Sequence, residues 1–296
     1  MNNSKERLNH YIDLINSQLD KLVPESEILQ GKIYEAMRYS LLKGGKRIRP
    51  VLTLAVCEMF GGNSVEAMPF ACAIEMIHTY SLIHDDLPAM DDDDYRRGAL
   101  TNHKVYGEGI AVLAGDGLLN KSFEVMLSTL NNNADIDRKI KAVQLIANAA
   151  GIDGMIGGQV IDIESEGKRI DYETLKNMHT LKTGALISSS AVAGAIIAGA
   201  SQEDIKRVYE YASNLGLAFQ IKDDILSEVG DRAKLGKNTG NDRERSKSTY
   251  VTILGLEESQ AFLEKVTDKA VNSLEDFGKK AEFLIELANY LLNRDS

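Results

Sequence analysis

The sequence predicts an all-α protein, a single-domain bundle of ten or more helices spanning residues 1–296. Three observations carry that reading. Apolar residues repeat at the 3.6-residue period over long stretches, as in Asp135 to Ala150, Asp171 to Ala200 and Ser201 to Val229. Only four prolines occur, Pro24, Pro50, Pro69 and Pro88, so little interrupts helical hydrogen bonding. No Asn-Gly turn joins alternating segments of the kind that pair as hairpins.

The first helix is amphipathic, with Leu8, Tyr11, Ile12, Ile15, Leu19 and Leu22 at helical spacing and without the apolar core of a signal peptide. Lys43-Gly44-Gly45 ends the next helical stretch, and Pro50 opens an apolar one. Gly61-Gly62-Asn63 breaks the chain before a helix carrying Ile74, Met76, Ile77, Leu82 and Ile83 into an acidic segment. A further break comes at Asn131-Asn132-Asn133, and a polar stretch runs from Gly230 to Ser248. The most apolar run, Ala185 to Ala200, falls short of the roughly 20 residues of a membrane span and reads as a buried helix of small residues. Neither an internal repeat nor a linker divides the chain.

With 296 residues and 44% hydrophobic content, the chain can bury a substantial core. A net charge of −10 and a pI near 5.1 exclude the broad basic face that nucleic-acid binding requires. Cys57 and Cys72 lie in apolar surroundings without a partner motif, which predicts reduced core thiols in a cytoplasmic protein.

Six aspartates fall between Asp85 and Asp94, and a second acidic pair, Asp223-Asp224, lies far downstream. Each group ends a predicted helix, where carboxylates oppose the macrodipole and call for a cation. Magnesium suits this arrangement, because it binds one or two carboxylates and completes its shell with water and phosphate oxygens. Two carboxylate sets facing each other could clamp a diphosphate through such ions and offset the charge a leaving diphosphate develops. In a straight helix Asp85 and Asp91 would point about 120° apart. Distortion of the helix at Pro88 is the expected means of bringing them together.

Cations flank these groups. Lys46 and Arg49 follow Gly44-Gly45, and Arg96-Arg97 follow the first acidic segment directly. Lys182-Thr183 lies within a helix, while Lys237 and Lys247 lie in the polar stretch after Asp223. The glycines would allow close backbone approach, and the cations offer point charges and planar forks to phosphate oxygens.

In this order the motifs resemble those of the trans-prenyltransferases, the isoprenyl diphosphate synthases. The resemblance runs through Gly44 to Pro50, Asp85 to Gly98, Leu113-Ala114-Gly115-Asp116, Gly157-Gly158-Gln159, Lys182-Thr183 and Phe219-Gln220. It continues into Asp223-Asp224, Gly236-Lys237 and Lys247 to Tyr250. Two extra residues inside the first aspartate motif match the bacterial type of farnesyl diphosphate synthase. The resemblance implies the isoprenoid synthase fold around a central cavity, a homodimer, and three magnesium ions held by Asp85, Asp86, Asp91 and Asp223. It implies isopentenyl diphosphate on Lys46, Arg49, His78 and Arg97, and the allylic diphosphate on Arg96, Lys182 and Lys237. Thr183 and Gln220 would line the reacting centre. For His78 the alternative is a hydrogen-bonded core histidine.

The implied reaction is head-to-tail condensation of isopentenyl diphosphate with dimethylallyl or geranyl diphosphate. The allylic diphosphate ionises to a carbocation, with Asp85, Asp91, Lys182, Thr183 and Asp223 as the catalytic set. Tyr80 lies about 7.5 Å down the helix from Asp85, and an aromatic ring there would act as a floor stopping chain growth at fifteen carbons. A deeper pocket would make geranylgeranyl diphosphate instead. A terpene cyclase would not need the Gly44 to Pro50 motif, and a non-catalytic subunit could dispense with the aspartates. Ser227 stands where the family's second motif usually has a third aspartate, which predicts modestly weaker magnesium affinity. Gly230 to Ser248 is the expected lid.

Overall fold

The computed structural model describes residues 2–131, 135–229 and 248–292. Helices dominate them: α1 (Asn2–Leu22), α2 (Gly31–Leu41), α3 (Ile48–Met59), α4 (Ser64–Asp85), α5 (Asn102–Tyr106), α6 (Glu108–Ser128), α7 (Ile136–Ala150) and α8 (Met155–Ser165). α9 (Tyr172–His179) passes through a π-helical turn, Thr180–Gly184, into α10 (Ala185–Ala198). α11 (Gln202–Val229), α12 (Tyr250–Leu254), α13 (Leu256–Asn272) and α14 (Glu282–Leu292) follow. The described strands form one hairpin, β1 (Tyr95–Arg96) against β2 (Ala99–Leu100). The three longest stretches predicted from periodicity coincide with α7, with α9 and α10 together, and with α11.

The core is built on α4 and α10. α4 packs on α3 and α6, while α10 packs on α3, α7 and α11. Small residues set the α3–α10 spacing: a Cβ on Gly194 would come within 2.2 Å of the Thr53 carbonyl oxygen. At the same crossing the Thr53 hydroxyl donates to the Ser190 carbonyl at 2.9 Å. The predicted stripe of α1 enters the same core through buried Tyr11, Ile15 and Leu19. A second apolar cluster, including Leu175, Ile221, Tyr250, Leu263 and Val266, ties together α9, α11, α12 and α13.

The run Tyr172–Ala198 spans 27 residues, because the π turn joins α9 to α10. Among the described residues it is the one helical run long and apolar enough to cross a membrane by length and composition. It packs inside the bundle, with 61% of its most apolar window buried. The helix therefore exceeds the apolar stretch seen in the sequence.

At Pro88 the expected distorted helix gives way to an ended one. α4 stops at Asp85, and Pro88 lies in the turns beyond. A proline disfavours helical backbone in the residue before it, here Leu87. The Leu87 amide instead donates to the His84 carbonyl at 3.1 Å, and the Asp91 amide returns to the Asp85 carbonyl at 2.8 Å. Both cysteines are free and buried, and burial pushes each thiol up to about 12.

Candidate functional site

The end of α4 forms one wall of the site. The backbone bond from Asp91 to Asp85 brings the two aspartates together despite the six-residue separation. Burial pushes the Asp85 carboxyl up to about 6, Asp91 and Asp86 push the same way, and Lys182 and Arg96 pull it down. Asp86 is differently placed: it is buried, and Arg96 forks it, with Nε 2.7 Å from Oδ1 and 2.9 Å from Oδ2. Arg96 Nη2 lies 2.6 Å from the same Oδ1.

Cations form the base. Arg49 is held down to about 10, chiefly by burial, while Glu75 and Asp223 raise it and Arg97 lowers it. Its Nε has no hydrogen-bond partner among the described residues. His78 is pushed well below 6.5 by burial, then by Arg49, Arg97, Arg96 and Arg47, so its imidazole is neutral. It lines a cavity together with Tyr80 and Asp85.

The paired glycines serve this base. Arg97 Nη1 donates to the Gly44 carbonyl, and a Cβ on Gly45, whose φ is +136°, would fall 2.6 Å from that guanidinium. Close approach there admits a cationic side chain. Arg47 takes a left-handed φ of 49° and is tied to Glu75 Oε1 and the Leu41 carbonyl, each at 2.6 Å, and to Asn16 Oδ1 at 3.0 Å. Losing either partner of a buried pair like Arg47–Glu75 typically costs about 3–5 kcal/mol, so Arg47 fixes the turn from which Lys46 and Arg49 project. Lys46 is exposed.

α11 forms the opposite wall. Gln220, Asp223, Asp224 and Ser227 line a cavity of about 280 Å³, together with Asp162, Lys182 and Thr183. A second cavity, of about 330 Å³, is lined by Arg49, His78, Tyr80, Asp85, Gln159, Lys182 and Thr183. Lys182 and Thr183 line both cavities. The π turn presents these two residues, an irregularity common at functional sites. Gly158 permits it, since a Cβ there would meet the Lys182 backbone nitrogen at 2.2 Å.

Asp224 is mostly buried and accepts the Tyr250 amide proton at 2.8 Å, anchoring α12. Gly115 makes room for His84, whose Nε2 lies 3.0 Å from the Val112 carbonyl oxygen. The motif around Leu113 thus packs α6 against α4. Lys237, Lys247 and residues 230–247 of the expected lid lie outside the described residues.

Sequence reasoning passed over Asp162, Glu75 and the structural role of Arg47. Asp162 Oδ2 lies 2.6 Å from Lys182 Nζ and orients that ammonium. Its signal was available, one helical turn past Gly158-Gln159 on α8.

Asp85, Asp91 and Asp223 offer hard oxygen donors, the set magnesium prefers over softer metals. The raised Asp85 carboxyl shows a charge that the protein alone does not fully compensate. With Arg49, Arg97 and Lys182 nearby, the region can hold a polyanion through both direct cations and bridging ions.

A polyprenyl synthetase family model matches residues 30–284. The chain is 46% identical over 285 residues to a geranylgeranyl diphosphate synthase of Cyanophora paradoxa, covering 96% of this chain and 94% of that one. It is 41% identical over 291 residues to the farnesyl diphosphate synthase of Bacillus subtilis, covering 98% and 96%. An FPP/GFPP synthase structure from Zymomonas mobilis superposes with a TM-score of 0.88 at 36% identity, over 98% of this chain and 99% of that one.

The neutral state of His78 makes a pH prediction. Below about 6.5 the unfolded chain takes up a proton at this position that the folded chain resists, so stability should fall as pH drops. Thermal melts of substrate-free, chelated protein between pH 7.5 and 5.5 should show a shallower decline for His78→Gln. An identical slope would place the titration elsewhere.

Proposed function

This chain belongs to the polyprenyl synthetase family, and from that premise we propose that it condenses isopentenyl diphosphate with dimethylallyl or geranyl diphosphate to give farnesyl diphosphate. Prenyl chain elongation is the activity its relatives share; the fifteen-carbon product is the further step. The observation that carries the reading is the placement of Lys182 and Thr183 on both cavities, between the Asp85 and Asp223 walls. All 296 residues are read as one catalytic unit.

Arg49 and Arg97, with neutral His78 and the exposed Lys46, hold the diphosphate of isopentenyl diphosphate. Lys182, oriented by Asp162, and Arg96, oriented by Asp86, face the allylic diphosphate. Asp85, Asp91 and Asp223 would hold magnesium, which when bound draws charge from the departing diphosphate. This assignment moves Asp86 from metal ligand to holder of Arg96, because its carboxylate is already forked. Thr183 and Gln220 direct oxygen atoms toward the reacting carbons. The apolar wall of Met155, Ile156, Val160 and Ile163 excludes water that would quench a carbocation. The proton lost after coupling passes to the departing diphosphate, so the protein need supply no dedicated base.

Tyr80 sets product length in this reading. It is buried, lines the same cavity and packs edge-on against His84, with ring centroids 5.7 Å apart. The ring is thus braced as a floor. Exposed apolar side chains on α6, among them Val112, Leu113 and Leu127, are proposed as the face a second copy covers. The free buried thiols fit a reducing compartment such as the cytoplasm.

Asp85→Asn and Lys182→Ala should each lower kcat by about 10²–10³-fold, measured with labelled isopentenyl diphosphate, either allylic starter and magnesium. Near-parental turnover in either variant would remove the assigned role, and chelation should abolish activity in the parent. Tyr80→Ala should lengthen the product toward twenty carbons or more on chromatographic sizing; an unchanged product would leave Tyr80 a packing residue. Sedimentation should give twice the 32.5 kDa chain mass, and a monomer would sink the homodimer.

A further inference from the structure

Immediately after Asp91 in the chain begins a second group of ligand-type side chains. Asp92, Asp94 and His103 place one ligand atom each within 4.8 Å of one another. Asp92 and Asp94 are exposed, whereas His103 is 6% exposed. Its Nε2 is buried without a hydrogen-bond partner among the described residues.

The tautomer of His103 follows from its neighbour. The Thr101 hydroxyl donates its single proton to the Asp93 carbonyl at 2.8 Å and lies 3.2 Å from His103 Nδ1. With that proton committed, Thr101 accepts from His103, and Nδ1 carries the hydrogen. In that tautomer Nε2 carries the lone pair. Of the two ring nitrogens, Nε2 is the one left open to a cation shared with Asp92 and Asp94. A ring whose other nitrogen donates to a fixed oxygen is also the usual arrangement of a metal-bound histidine.

Local charge points the same way. Arg96 is committed to Asp86 at 2.6 Å and approaches Asp93 at 3.9 Å. Lys104 Nζ pairs with Asp94 Oδ1 at 2.7 Å, leaving that carboxylate its second oxygen. The Asp92 amide donates to the Leu87 carbonyl at 3.1 Å, and its carboxylate makes no hydrogen bond or ion pair among the described residues. We propose that Asp92, Asp94 and His103 bind a divalent cation of the borderline class, such as zinc, manganese or cobalt, with water completing its shell. The imidazole nitrogen favours these ions over magnesium. The ion would join the turn after α4 to α5 across the base of the β1–β2 hairpin, and so brace the segment carrying Arg96 and Arg97.

The test uses the full-length protein, stripped with chelator and without substrate. Cobalt is titrated while its visible absorption is followed, and crystals soaked in manganese are examined for anomalous scattering. Asp92→Asn, an exposed change that leaves folding intact, and His103→Gln should each weaken one cobalt site at least tenfold. Asp85→Asn should retain that site, and Lys104→Met, which removes a competing cation, should tighten it. Unchanged cobalt binding in both Asp92→Asn and His103→Gln would overturn the proposal. So would anomalous scattering confined to Asp85, Asp91 and Asp223.

Discussion

The fold gathers charges around one region that it does not itself neutralise. Burial drives Asp85 up and Arg49 and His78 down, each toward its uncharged form. Arg49 also keeps a buried Nε without a partner. Burying charge without compensation is costly, and such groups persist where a ligand completes them. A diphosphate with divalent ions would complement both signs at once, reaching the cations directly and the carboxylates through the metal. The rest of the architecture can be understood as the means of holding these groups apart until then.

Three local devices do the holding. α4 ends where Pro88 forbids its continuation, and the turn returns Asp91 to Asp85. Gly45 lets Arg97 lie against the turn, while left-handed Arg47, tied to Glu75, sets the direction of Arg49. The π turn at Thr180–Gly184 directs Lys182 and Thr183 toward both walls, with Gly158 leaving the space. Each device uses a backbone conformation or close approach that few other residues allow.

The two aspartate pairs divide their labour in the same way. Asp85, Asp223 and Asp224 line the cavities, while Asp86 holds Arg96 and Asp224 also caps the start of α12 through the Tyr250 amide. One member of each pair thus secures an element beside the cavities. Asp162 plays a comparable part for Lys182. Acidic residues here thus serve to position cations and helix starts.

Periodicity alone determined the all-α class and the extents of α7, the α9–α10 run and α11, because an amphipathic stripe repeats along the chain itself. The family was legible for the same reason, since Lys46, Arg49, Asp85, Arg96, Lys182 and Asp223 each lie in a short contiguous motif. Tertiary structure alone decided which carboxylate faces the cavity and which is spent on an arginine or an amide. Asp85 and Asp86 are adjacent in sequence and alike in type, yet only folding brings Arg96 to one and Lys182 near the other. The Arg47–Glu75 tie likewise depends on a partner 28 residues away. A one-dimensional pattern carries no distance between such partners.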